Sequence, residues 1–312
     1  MIGWLGELQA LLAHGDAAVL LTVARAEGDA PRHAGTKMIV ARDRLVGSIG
    51  GGGLEVRAVE IARQMLRDGD TPRLLQRFGL DDASPGSAAV LAFERLSVAD
   101  LPWVSRLAKR AAVGTASVRT VGFGDPTAPV LISDAERRRA DCLLWDAGPL
   151  LTETIVDDSQ PLYIVGAGPV ARALVGLLAP LPFKAVWVDD VAPTVPDLPP
   201  NVQPASKPMQ AIGDAPADAF YLLATDSEPL DVALLDPILR RGDAAFVAVL
   251  GTPAKRRRCE MQLASAGIDP GRLAPLAESA GIAGIADGAP AVMAISVAAQ
   301  LLRARDALRN AG

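Results

Sequence analysis

Residues 47–55 read Gly-Ser-Ile-Gly-Gly-Gly-Gly-Leu-Glu. Ordering four consecutive glycines costs more backbone entropy than ordering any other four residues, so such a run belongs where the chain turns through conformations closed to side chains. An apolar stripe at helical spacing follows at once, with Leu54, Ala58, Ile61, Ala62, Met65 and Leu66 on one face and Gly69 placed to end the helix. A side-chain-free loop feeding a helix N-terminus presents backbone N–H groups in a field that favours anions. The plain alternative is a hairpin tip without a ligand; the helix behind the run favours a binding loop.

At 312 residues the chain is long enough for two domains, and with 50% hydrophobic and 21% charged residues it reads as globular rather than disordered. Its apolar runs are short and broken by Gly, Pro or charge, so no membrane span is expected. The first 13 residues lack a basic segment, which argues against a signal peptide. Cys142 and Cys259 stand far apart and suggest no disulfide framework; a reduced, cytoplasmic protein is expected. A net charge of −5 gives no general attraction to nucleic acid, and the basic clusters at 137–139, 240–241 and 255–258 read as solvated helix faces. His14 and His33 are the two histidines, and neither has zinc spacing or a nearby serine motif. No metal site and no catalytic residue is therefore assigned.

The pattern predicts a first domain over 1–110, a connecting segment over 111–158 and a second domain over 159–312. The first opens with a helix over 3–13, then strands over 17–24, 36–40 and 45–49, the glycine loop and its helix. Strands over 73–78 and 88–95 and a helix over 101–113 complete it. In the connecting segment a strand is expected over 116–123 and a mixed bridge over 148–158. The second domain alternates strands near 162–165, 184–188, 219–224 and 244–250 with helices to 178 and over 230–241, 254–266 and 290–308. The fold class is α/β: a small N-terminal α/β domain followed by a C-terminal Rossmann-like doubly wound parallel sheet.

Gly166-Ala167-Gly168-Pro169-Val170-Ala171 lies between a strand and a helix, and Asp189 follows 21 positions after Gly168. This is the setting of a dinucleotide turn: Gly166 for the bend, Gly168 for backbone approach to a phosphate, Ala171 for close helix packing and Asp189 as acceptor for a ligand hydroxyl or amide. The alternative is a Rossmann fold that binds no dinucleotide. Thr225, Asp226 and Ser227 follow the 219–224 strand, where Thr225 and Ser227 also suit helix capping. Gly251-Thr252-Pro253-Ala254-Lys255-Arg256 follows the next strand and offers Lys255 and Arg256 to an anion.

Together these segments resemble the XdhC/CoxI family of molybdenum cofactor accessory proteins. The resemblance rests on Glu27 to Met38 with its Pro31-Arg32 step, on Gly47 to Glu55, and on the glycine turn at 166–171. Val188-Asp189-Asp190, Thr225 to Asp231, Leu250 to Arg258 and Pro290 to Ala299 follow in the same order. It implies a non-enzymatic chaperone that binds and protects the molybdenum cofactor, supports its sulfuration with a cysteine desulfurase, and passes it to apo xanthine dehydrogenase or a related molybdoenzyme. Arg32, the amides of Gly50, Gly51, Gly52 and Gly53, and Lys255 or Arg256 are then expected around the cofactor's phosphate. Glu55, Asp189 and Asp226 are the acidic candidates. The resemblance also implies an oligomer, and the Ala/Val-rich helix over 290–308 offers an apolar face for a dimer. An NAD(P)-dependent oxidoreductase and an interaction scaffold are the alternatives. Where many relatives carry cysteine this chain has Gly53, and in place of a Cys-Gly-Gly motif it reads Ser84-Pro85-Gly86-Ser87-Ala88. Histidines of the family pattern are Pro169 and Glu228 here. Cys259, beside three arginines, is either an activated thiol or a buried helix residue.

Overall fold

A ten-residue strand with alternating faces organises the N-terminal unit. In the computed structural model, which describes residues 3–30, 32–79, 87–136, 141–277, 280–285 and 287–311, the chain divides into units Met1–Asp158 and Ser159–Gly312. The first unit contains α1 (Gly3–Ala13), β1 (Ala18–Glu27), β2 (Lys37–Val40), β3 (Leu45–Gly47), α2 (Gly52–Asp68), β4 (Arg73–Gly79), β5 (Ala88–Leu96) and α3 (Leu101–Ala112). The strands form one antiparallel sheet in the order β3-β2-β1-β5-β4. Val19, Leu21 and Val23 of β1 pack with Leu54, Ala58, Ala62 and Met65 of α2. Ala18 and Leu20 pack instead with Leu5, Leu8 and Leu12 of α1 and Val104 and Leu107 of α3. A period of two on the strand thus meets helical stripes on both faces.

The stretch expected as a connector builds a second sheet of this unit. It comprises β6 (Ser117–Gly122), β7 (Leu131–Asp134), β8 (Asp141–Trp145) and β9 (Leu150–Ile155), antiparallel in the order β7-β6-β9-β8. The strands β7 and β8 are short edges and largely exposed, so they lack the apolar alternation that marked β6.

A buried charged layer joins the two sheets of this unit. Lys37 on β2 donates to Thr22 Oγ1 at 2.8 Å and pairs with Glu153 on β9. Arg119 on β6 donates to Glu153 Oε2 at 2.7 Å and pairs with Glu94 on β5. The Arg119 side chain is fully buried, with its guanidinium 4.7 Å from the centre of the Trp103 ring. Two cations face two carboxylates, which makes the burial of four charges tolerable.

The second unit contains β10 (Gln160–Val165), α4 (Pro169–Leu177), β11 (Phe183–Asp189), β12 (Val202–Ser206), α5 (Pro208–Gly213), β13 (Phe220–Leu223), α6 (Glu228–Arg241), β14 (Phe246–Val249), α7 (Pro253–Ser265), α8 (Pro270–Leu273) and α9 (Pro290–Ala311). All five strands are parallel, in the order β12-β11-β10-β13-β14. Leu162, Ile164, Trp187, Phe220 and Leu222 face α4 and α9, while Val165, Val188, Tyr221, Leu223 and Val249 face α6 and α7. This is the doubly wound Rossmann arrangement, with its switch point between β10 and β13.

The elements β12, α5 and α8 escaped the sequence pattern here. The edge strand β12 carries Pro204, tolerated where a strand has one free side, and α5 opens on Pro208. The apolar face of α9 also needs correction. Ala294, Val297, Ala298 and Leu301 are spent on the sheet and α4, so this face is not available for self-association. Among the described residues no helix is long and apolar enough to cross a membrane.

Candidate functional site

In the glycine run Gly50, Gly51 and Gly52 have φ of 126°, 76° and 63°, a left-handed succession that side chains disfavour. Gly51 adds a ψ of −167°, so a side chain there distorts the loop itself. Gly53 has ordinary φ, and a Cβ at this position meets nothing within 4 Å, so it is not required as glycine. The helix behind the run ends at Gly69, whose N–H donates to Met65 O.

The loop's amides are largely committed inside the loop. Glu55 reaches back from the first turn of α2, and its Oε2 accepts from Ser48 Oγ at 2.6 Å, Ile49 N at 3.1 Å and Gly51 N at 3.0 Å. The Gly50 N–H donates to Ser48 Oγ at 3.2 Å. The Ser48 hydroxyl bond, the Gly51 and Ile49 amides and the charge of Arg32 hold the Glu55 carboxyl below its usual range, against its partial burial. The expectation of four free amides is therefore corrected: the protein's own carboxylate fills the nest, leaving Gly52 and Gly53 without an acceptor among the described residues. Arg32 is exposed and contributes charge beside Glu55. Residues 84–86, part of the departure from the family pattern, lie outside the described residues, as do Pro31 and the arginines at 137–139.

In the second unit the bend at Gly166 has φ 107°, and a Cβ there sits 2.4 Å from the Ala224 carbonyl oxygen, so β10 and β13 meet too closely for a side chain. Gly168 caps α4 with ordinary φ, and its Cβ position is 3.8 Å from Ala224 O, an unforced contact. Ala171 is fully buried against the sheet. Asp189 braces this turn: Oδ2 accepts Ala167 N–H and Oδ1 accepts Asp190 N–H, both at 2.8 Å. The residue expected to meet a ribose thus already takes one of the amides a phosphate would use.

One strand over, a cavity of about 380 Å³ opens at the ends of β13 and β14. Ala224, Thr225, Asp226, Glu228, Gly251, Thr252, Lys255 and Arg258 are among its lining residues. Ser227 caps α6 and Thr252 caps α7, so two helix N-termini converge here. Thr225 donates to Asp231 Oδ1 at 2.6 Å. Lys255 Nζ donates to Thr225 O at 2.6 Å and lies 2.5 Å from Asp231 Oδ2. Burial pushes the Asp231 carboxyl up, against the pull of Lys255 and Thr225. Arg258 donates through Nε to Glu228 Oε2 at 2.7 Å, and Gln262 adds a bond to Glu228 Oε1 at 3.0 Å.

Of the residues read from sequence, the cavity brings together Thr225, Asp226 and Lys255. Gly166, Gly168 and Asp189 form the neighbouring turn. Arg256 is corrected: it is buried on the face of α7 that carries Cys259 and Leu263. Arg258, Glu228 and Thr252 were not among the predicted site residues. The signal was present in the helical period, because if 256, 259 and 263 face the core, 255, 258 and 262 share another face.

Neither thiol is poised for chemistry. Burial raises Cys259 despite its arginine neighbours, and burial with Glu153 pushes Cys142 up to about 12. Among the described residues no group of three or more His, Cys, Asp or Glu side chains could hold a metal ion. The pocket's polar groups are hydroxyls, backbone amides, the paired Lys255 and Arg258, and the carboxylate of Asp226.

An antiparallel α/β unit with a glycine-fed helix, followed by a Rossmann unit with a polar cavity at its strand ends, defines a two-unit α/β protein. The chain belongs to the XdhC and CoxI family: the XdhC and CoxI family profile matches residues 11–79, and that of the XdhC Rossmann domain matches residues 162–301. A crystal structure described as a xanthine dehydrogenase from Bacillus halodurans shares the fold at TM-score 0.73 and 18% identity, covering 96% of this chain and 95% of that one. Comparison with curated proteins returns no match.

Proposed function

We propose that this protein is a molybdenum cofactor-binding chaperone. It stabilises the cofactor, supports its sulfuration with a cysteine desulfurase partner, and delivers it to apo xanthine dehydrogenase or a related molybdoenzyme; self-association belongs to the same reading. The observation that carries it is the polar cavity at the ends of β13 and β14 in a chain of this family. Its volume suits a small cofactor, and its lining is hydroxyls, charged side chains and helix N-termini. These groups bind and orient without cleaving, as a carrier requires. With Gly53 in the glycine loop and both cysteines buried, the cargo is held through its organic part and phosphate rather than by thiolate ligation at these positions. The dinucleotide alternative is weakened by Asp189, whose two oxygens already accept backbone amides.

The test incubates purified protein with released molybdenum cofactor and measures molybdenum and pterin co-eluting on gel filtration, with NADH and NADPH titrated in parallel by fluorescence. Stoichiometric pterin without dinucleotide binding is the expected outcome. Dinucleotide binding without pterin overturns the chaperone reading.

A further inference from the structure

The sign of the uncommitted charge in the β13–β14 cavity decides which end of a ligand it receives. Its two lining cations are both engaged, Lys255 by the buried Asp231 and Arg258 by Glu228. Asp226 also lines the cavity, is exposed, and has no hydrogen-bond or ion-pair partner among the described residues. Turning Lys255 to a phosphate strands the fully buried Asp231, while Arg258 would have to leave Glu228, which Gln262 and the α6 N-terminus continue to hold. A donor-rich edge meets Asp226 with nothing to displace. The α6 N-terminus is already answered by Glu228 and Asp231 in its first turn, whereas α7 has no acidic residue there. The cavity is therefore an acceptor at Asp226 and electropositive at the α7 end, beside the Thr252 hydroxyl.

We propose that this cavity recognises a 2-amino-4-oxopyrimidine ring, with Asp226 as the specificity-determining residue. Such a ring presents adjacent amino and ring N–H donors, which a carboxylate accepts together, followed by an oxo acceptor suited to the α7 end. Resting on the chaperone reading, the ring is the pterin end of the cofactor, and the phosphate is held elsewhere. Guanine shares the same edge, so the test separates the two sources.

Titrate the protein at pH 7 with neopterin, with the lumazine that keeps the same 6-trihydroxypropyl chain and carries an oxo group in place of the 2-amino group, with guanosine and with inorganic phosphate. Neopterin should bind, and lumazine should bind about tenfold or more weakly, the loss expected for a charge-assisted hydrogen bond. Phosphate should not compete. Asp226→Asn should weaken neopterin by a similar factor, with an unchanged thermal midpoint because the residue is exposed and Ser227 still caps α6. Equal binding of neopterin and lumazine, competition by phosphate, or full neopterin affinity in Asp226→Asn overturns the proposal. Guanosine binding more tightly than neopterin overturns the pterin assignment. Absence of neopterin binding overturns it too. The chaperone reading fails separately, through lack of cofactor co-elution with the wild-type protein. If wild type and Asp226→Asn retain cofactor equally, that reading stands and this one falls.

Discussion

Replacing Glu55 tests whether the glycine loop is held by the protein's own carboxylate. Three donors converge on one oxygen: the Ser48 hydroxyl at 2.6 Å, the Ile49 amide at 3.1 Å and the Gly51 amide at 3.0 Å. A hydrogen bond to a charged group contributes about 1.5–3 kcal/mol when well buried. Here the loop is partly exposed, so water recovers much of the loss at Ser48 and Gly51, while Ile49 itself is fully buried. Glu55→Ala is therefore expected to cost about 2–3 kcal/mol, and Glu55→Gln, which keeps an acceptor oxygen without the charge, about 1 kcal/mol. Because the folded carboxyl titrates below its usual range, its contribution is complete above the unfolded value of about 4.3 and fades as pH falls through the lower folded value. The gap between wild type and Glu55→Gln should then close in acid. Hydrogen exchange at the Ile49 and Gly51 amides, followed at pH 7 and again below pH 4, reads the local opening free energy without assuming that both units unfold together. Equal costs for Ala and Gln, or exchange unchanged by either, would refute the internal-anion account.

Two further outcomes follow from the same structure. Gly166→Ala should destabilise the second unit by more than about 2 kcal/mol, since its Cβ meets Ala224 O at 2.4 Å; Gly168→Ala, in ordinary φ and unforced contact, should stay within about 0.5 kcal/mol, with thermal unfolding as the measurement. Arg119→Met should cost about 3–5 kcal/mol by stranding the buried Glu94 and leaving Glu153 with Lys37 alone, read by urea unfolding. Burial favours the neutral form of Glu153, but Lys37 and Arg119 prevail and hold its pKa low, so the wild type loses this contribution as pH falls through that lowered value. In the variant Glu153 has lost one of the two cations that hold its pKa down and protonates more readily, so the difference between the two proteins should shrink in acid. A constant difference from pH 7 down to pH 4 would argue against the charged layer as the cause.

What the sequence made legible was local. The stripe at 54, 58, 62 and 65 meets β1 as a helix should, Gly69 stops it, and the 166–171 turn stands between β10 and α4. Each is specified by neighbours within a few residues, where the period of side chains along an element is the whole signal. The strands β7, β8 and β12 carry weak patterns because edges need bury only one side, so their identity comes from partners elsewhere in the chain.

The same distinction separates the parts of the candidate site. Residue type identified the glycine loop, the turn and the acidic candidates, but not what each polar atom already holds. Glu55 is close in sequence to the amides it occupies, and a return bond from the first helical turn is a known capping device, so that pairing was within reach of the sequence. The bond from Asp189 to Ala167 spans 22 residues, that from Lys255 to Asp231 spans 24, and Arg119 meets Glu153 34 residues away. These pairings arise from parallel crossovers and sheet packing, and they reverse the electrostatic reading. A run of cations at 255–258 looks like an anion site until Arg256 turns to the core and the two cations that line the cavity, Lys255 and Arg258, are matched to carboxylates. Binding sign is a property of the charges left unpaired after folding, and in this cavity that charge is Asp226.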